Sequence, residues 1–335
     1  ISAASTSEIS SVVVSAAIAI AGGASGGVGA SIGVAVARNF IGWSPDGTEK
    51  ALKVHAYLKD SSVQAVRNLN ISAIANQTIN SIVIAGAVAI GAGGAGIAAG
   101  GSGVNSENKI GVDLKSFIEG DRETGDTGIS ASSISITADD TSTINALAGA
   151  IAVAGGFGGL GFAFSIGVSL ARNTITSDIE AYVLNADGLS ADVDDFGLTA
   201  TGTGGITISA TDNASIDALA FAVSVALGFG VGGIAISGAG ADANNVILTA
   251  VRAYVLGSAL SSRGKVDIDS RSTGRIDASV ASVAVAVAAG WVGAGAAVGV
   301  AVATNRIGWS PDYNTNSKYT TASDPALIVK DDTVK

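Results

Sequence analysis

Bulky apolar and small residues alternate along much of the chain. Leu219, Phe221, Val223, Val225, Leu227, Phe229 and Val231 are interleaved with Ala220, Ala222, Ser224, Ala226, Gly228 and Gly230. A second run sets Leu160, Phe162, Phe164, Ile166, Val168 and Leu170 against Gly161, Ala163, Ser165, Gly167 and Ser169. A period of two is that of a β-strand, whose successive side chains leave opposite faces. Each strand thus has one bulky face and one small face. No charge falls between Glu8 and Arg38, Asp140 and Arg172, Asp217 and Asp242, or Asp277 and Arg306. These spans exceed the ~18–20 apolar residues that cross a bilayer as a helix. The alternation and the glycine pairs inside the runs argue against helices. Gly22-Gly23, Gly93-Gly94, Gly155-Gly156 and Gly158-Gly159 would each weaken a helix by about 1 kcal/mol per glycine. They suit the positive φ of a tight hairpin turn.

The pattern recurs five times. The first alternation opens at Ile9, Ile79, Ile144, Ile216 and Ile276, and the second closes on Asn39, Asn108, Asn173, Asn245 and Asn305, each two residues before an isoleucine. Another phrase follows as Val54-His55-Ala56-Tyr57, Leu114-Lys115-Ser116-Phe117, Ile179-Glu180-Ala181-Tyr182 and Val251-Arg252-Ala253-Tyr254. A unit of about 60–70 residues that cannot bury its own apolar face must stack on its neighbours. The expectation is an all-β repetitive array of long antiparallel β-hairpins, ten strands in five hairpins, stacked into an elongated solenoid-like or tubular assembly. The bulky faces, Leu219, Phe221, Val223 and Val225 among them, are expected to form its continuous dry core. The units run 1–70, 71–133, 134–205, 206–265 and 266–335. Odd and even units differ: odd ones close on Val34 to Asn39, Val168 to Asn173 and Val300 to Asn305, whereas the even ones are Gly-rich at Ser102-Gly103 and Ser237-Gly238.

Composition narrows the function. Of the 335 residues 48% are hydrophobic but only 5% aromatic, leaving few anchors for a small-molecule pocket. A net charge of −10 disfavours nucleic acid, whose phosphates call for clustered Lys and Arg. With no Cys there are no disulfides or thiolate metal sites, and His55 is the single histidine. A nucleophile needs a base beside it, and nothing here assembles such a pair, so no catalytic residues and no enzyme are expected. The absence of Met, and a final segment that breaks off within a repeat, lead to the expectation that the sequence is part of a longer chain whose pattern continues.

Together, Ala37-Arg38-Asn39, Ile41-Gly42-Trp43-Ser44-Pro45-Asp46-Gly47, the Tyr182-Val183 phrase and Ala75-Asn76-Gln77-Thr78-Ile79-Asn80 resemble the tandem repeats of giant bacterial surface proteins of the haemagglutinin or adhesin type. The resemblance spans essentially the whole chain. It implies an extracellular or cell-surface location and a structural or adhesive role, and it transfers no catalytic residues.

Among candidate sites, Asn39, Asn108, Asn173, Asn245 and Asn305 suit a ladder of stacked amides better than a binding row. Trp43 and Trp309 suit a surface contact or packing over a unit's end. Asp121, Glu123 and Asp126, and Asp192, Asp194 and Asp195, supply oxygens of the kind calcium takes but match no calcium-loop spacing, so solvated loop charges are the better reading and no cofactor is expected. His55 is expected to point to solvent. The function expected is a structural segment of an extracellular or cell-surface filament or stalk, with a structural or adhesive role, whose partners are other repeats or copies of the same protein and surface or matrix contacts. The alternative is a membrane-embedded β assembly with its bulky face toward lipid.

Overall fold

The structure is a computed structural model that describes residues 1–120, 128–186 and 197–308. All its regular structure is β: thirteen strands joined in one sheet, with no helix among the described residues. β1 (Ser2–Gly23), β2 (Gly27–Ile41) and β3 (Leu52–Lys59) form the first coil, followed by the short β4 (Val63–Gln64). The next three coils centre on the long strands β5 (Leu69–Glu119), β7 (Thr143–Leu184) and β9 (Ser215–Leu256). β6 (Ile129–Asp140) and β8 (Leu198–Asp212) precede β7 and β9. The chain goes on through β10 (Leu260–Ser262), β11 (Val266–Ser272), β12 (Arg275–Ala289) and β13 (Val292–Ile307).

Each strand pairs with its equivalent in the adjacent coil, parallel and in register apart from one irregularity between Ala131 and Ser133 where β6 meets β8. Ile9, Ile79, Ile144, Ile216 and Ile276 lie side by side, as do Ile41, Ile110, Ile175, Ile247 and Ile307. A slip of one residue would turn every bulky side chain to the opposite face, so the alternation that makes the strands also locks their register.

This corrects the antiparallel hairpins expected from the glycine pairs. The two arms of a unit, such as 79–92 and 96–110, hydrogen-bond to neighbouring coils and not to each other. They meet through side chains, as an arch. Ser169 Oγ donates to the carbonyl of Ala148 at 2.9 Å, and Ser237 Oγ to that of Ser224 at 2.8 Å. Glycines permit this approach: a Cβ on Gly100 would sit 2.6 Å from the Val153 carbonyl oxygen, and one on Gly161 2.6 Å from that of Gly156. The second arm of each coil also touches the first arm of the next, since Gly100 and Val153 belong to successive coils. That stagger leaves β13, which no described coil follows, exposed along most of its length.

The core also differs from expectation. Between the arms the buried residues are small: Ala85, Ala148, Ala150, Ala220 and Ala222 in one cluster or its neighbour, and Ala89, Ala154, Ala163, Ala226 and Ala235 nearer the tip. The bulky residues point outward on both sides of a thin two-layered fin. Leu219 is 39% exposed, and Phe221, Val223 and Val225 are half-buried by lateral neighbours. The dry aliphatic core lies at the fin's base, where Ile71, Ile79, Ile110, Leu114, Ile134 and Ile136 and their equivalents converge. Full burial of each such side chain contributes roughly 1.5–3 kcal/mol before entropy. The small faces close on each other because Ala, Gly and Ser let two backbones come near; the bulky faces would hold them apart.

Candidate interaction surface

At the junction of fin and base, an amide ladder runs through all five coils, buried in the first four and exposed at Asn305. Asn39 Nδ2 donates to Asn108 Oδ1, Asn108 Nδ2 to Asn173 Oδ1 and Asn173 Nδ2 to Asn245 Oδ1, each at 2.8 Å, and Asn245 Nδ2 donates to Asn305 Oδ1 at 2.9 Å. Asn108, Asn173 and Asn245 are fully buried, so each inner amide both donates to and accepts from its neighbours and presents nothing to a ligand. Beside it Ser81 and Ser106 share a hydrogen bond of 3.2 Å across the arch.

The base carries two further ladders on its outer side. Tyr57, Phe117, Tyr182 and Tyr254 stack with centroids 4.9, 4.7 and 4.9 Å apart and rings within 5° of parallel. Burial, reinforced by the Glu180 carboxylate, pushes the Tyr182 and Tyr254 hydroxyls well above the usual phenol range. Next to them Lys115 Nζ lies 3.0 Å from Glu180 Oε2, and Arg252 pairs with both Asp178 and Glu180. His55 is half-buried in this row, its Nε2 3.4 Å from Asp113 Oδ2, so it is partly covered where sequence alone placed it toward solvent.

Trp43 lies just beyond the first coil's second arm, with Lys109 Nζ 4.9 Å over its ring. Trp309 and the two acidic triplets, Asp121, Glu123, Asp126 and Asp192, Asp194, Asp195, lie outside the described residues. Among the described residues no group of three or more His, Asp or Glu side chains converges as a metal site would.

Inside the base sits a buried acid that sequence reading missed. Asp140 is fully buried and accepts hydrogen bonds from Ser142 Oγ at 2.8 Å and Ser177 Oγ at 2.9 Å. Desolvation pushes its carboxyl up to about 6 against the pull of those serines. Asp212, its neighbour in the next coil, is raised for the same reason. The Asp-x-Ser of Asp140-Thr141-Ser142 is an available signal, but nothing in one sequence marks that turn as buried.

The two outer faces of the fin expose many apolar side chains, and they differ. On the first-arm face, phenylalanine rings fill two of the gaps left by glycine, while that at Gly86 stays open. A Cβ on Gly149 would fall on the ring of Phe221, whose Cε2 is 2.9 Å away, and one on Gly155 would lie 2.7 Å from Phe157 Cε2. At its base Asn80, Asn145, Asp217, Ile82, Leu147 and Leu219 line an open groove. Asn145 Nδ2 donates there to Asn80 Oδ1 at 2.8 Å.

The second-arm face is corrugated. Across the five coils one row reads Ile32, Gly101, Ile166, Gly238, Val298 and the next Val34, Gly103, Val168, Gly240, Val300. Odd coils form aliphatic ridges, with Ile32 76% and Ile166 59% exposed. In these two rows the even coils form grooves, and a Cβ on Gly103 or Gly240 would meet no atom within 4 Å, while nearer the tip the even coils carry exposed Ile97 and Ile236.

No protein-family model, curated protein or solved structure matches the chain.

Proposed function

We propose that this chain is a structural segment of an extracellular or cell-surface filament or stalk, a solenoid in which each coil templates the next. The observation that carries the reading is the parallel, in-register pairing of equivalent strands through five coils, together with the unbroken asparagine ladder. A hydrogen-bonded edge repeated in identical register is a surface onto which another coil adds at no cost in new design. The adhesin-like resemblance, the acidic charge and the scarcity of aromatic anchors agree with a scaffold whose partners are its own repeats. Adhesion enters as a property of what such a scaffold displays.

Axial geometry sharpens the proposal. A parallel coil adds only about 4.8 Å of height, so five coils make a stack about 24 Å high, shorter than the fin is wide. Long coils provide area more than length. X-ray diffraction from oriented native material tests the reading: a meridional spacing of about 4.8 Å, modulated at twice that value by the odd–even alternation, is expected. Discrete particles without axial periodicity would contradict it.

The second reading, a membrane-embedded β assembly, is favoured by the exposed aliphatic faces of the fin. Flotation with lipid vesicles and a requirement for detergent would support it; a chain that stays in solution without detergent supports the filament.

A further inference from the structure

We propose that the corrugated second-arm face pairs with the same face of a second copy, antiparallel along the stacking axis, with the ridges of each filling the glycine grooves of the other. This rests on the stacked-coil reading and adds to it a lateral partner. The ridges recur at every second coil, and the intervening rows at Gly101, Gly103, Gly238 and Gly240 carry no side chain. Space above Gly103 and Gly240 is open; on the opposite face Phe221 and Phe157 close the gaps at Gly149 and Gly155, and the gap at Gly86 stays open. The second-arm face thus carries two open sockets in one row, each flanked by ridges of the adjacent coils. The plug of matching chemistry and spacing is the row of Ile32, Val34, Ile166 and Val168.

A two-fold axis parallel to the strands keeps every row opposite itself and reverses the order of coils. Sliding the copies so that the third coil faces the second coil of its mate puts Val168 over Gly103 of the second copy and Val34 over Gly240. The contact is isologous, so each ridge is used twice. Charges at its rim fall into the same register. Exposed Arg172 comes opposite Glu107 of the second copy, and Arg38 comes beside its Asn244 and Asp242. Nothing charged lies on the face between Val28 and Val36. Four overlapping coils of about 4.8 Å and eleven residues of about 3.3 Å cover roughly 700 Å² per copy. That approaches the ~800 Å² per partner of a stable interface.

Sedimentation equilibrium of the chain up to about 100 µM is the test, using Gly103→Val/Gly240→Val to fill the grooves, Val34→Gly/Val168→Gly to remove ridges, and Gly86→Val on the opposite face as control. Gly86 suits that purpose because its added Cβ would meet only the Ser15 carbonyl oxygen, at 3.8 Å. The expected result is a wild-type dimer, at least about tenfold weaker in both second-arm variants and unchanged in the control, with β-type circular dichroism retained throughout. A wild-type chain that is monomeric at the highest concentration would overturn the proposal, as would association indifferent to groove filling or capture by phosphatidylcholine vesicles in place of dimers. A monomer with an intact β spectrum would leave the stacked-coil reading standing and remove only the lateral pairing.

Discussion

Single residues divide according to which side of the fin wall they occupy. Gly161 faces inward, where a Cβ would press on backbone carbonyl oxygens that have nowhere to move, whereas Gly103 faces an open groove. Gly161→Ala is expected to cost about 1–3 kcal/mol through overpacking, and Gly103→Ala to stay within about 0.5 kcal/mol, both read from urea denaturation. The asparagine ladder makes a similar distinction between middle and end. Asn173→Ala strands a donor on Asn108 and an acceptor on Asn245, so about 2–5 kcal/mol is expected from two unsatisfied buried groups. Asn305 is exposed, so Asn305→Ala leaves the Asn245 donor within reach of water and should cost no more than about 1 kcal/mol. Buried Asp140 gives the molecule an unusual response to acid. Its carboxyl, pushed up to about 6, stands above the ordinary aspartate value of about 3.9, so between these values the folded chain holds a proton that the unfolded chain has released. Stability therefore rises as pH falls from 7 toward 5, by about 1 kcal/mol from this group over that window. Denaturation midpoints at the two pH values check it, and Asp140→Asn should flatten the trend.

At the scale of elements, the strands were legible and their partners were not. The period of two in Leu219 to Val231 marks a strand, and those residues lie in β9. The repeat of Ile79, Ile144 and Ile216 marks equivalent positions, and these align in one ladder. What the alternation leaves open is which of two unlike faces is buried. Bulk alone favours burying Leu219 and Phe221, yet the structure buries Ala220 and Ala222, because two sheets made of Ala, Gly and Ser approach closely and still exclude water. Glycine pairs such as Gly93-Gly94 are equally compatible with a hairpin and an arch, since both reverse the chain; only the hydrogen-bonding direction separates them. The same ambiguity hid the candidate surface: alternating Val34, Gly103 and Val168 is visible as an odd–even difference, but becomes ridge and groove only once coils lie in register. Face assignment makes a direct prediction. Ala222→Asp places an unpaired charge inside the arch and should prevent stable folding. Val223→Asp lies on the outer face and should leave a folded chain, weakened by about 1–2 kcal/mol; thermal unfolding of the two variants compares them.

For the whole molecule, one repeated coil shape accounts for the base core, the amide ladder, the fin and its two unlike faces. All follow if equivalent strands pair in parallel between coils and the arms of each unit meet through side chains. The chain has no cysteine, so introduced pairs report this without background. Val88 and Val153 are lateral partners in adjacent coils, with Cα atoms about 4.8 Å apart, within the span of a disulfide. Val88 and Ala99 point to opposite outer faces of the fin, although a hairpin turning at Gly93-Gly94 would place them directly across from each other. Oxidation of Val88→Cys/Val153→Cys and Val88→Cys/Ala99→Cys, followed by mass spectrometry of the cross-linked peptides, tests the arrangement. An intramolecular bridge in the first pair and none in the second is the predicted result; a bridge at 88 and 99 with none at 88 and 153 would contradict the stacked arches.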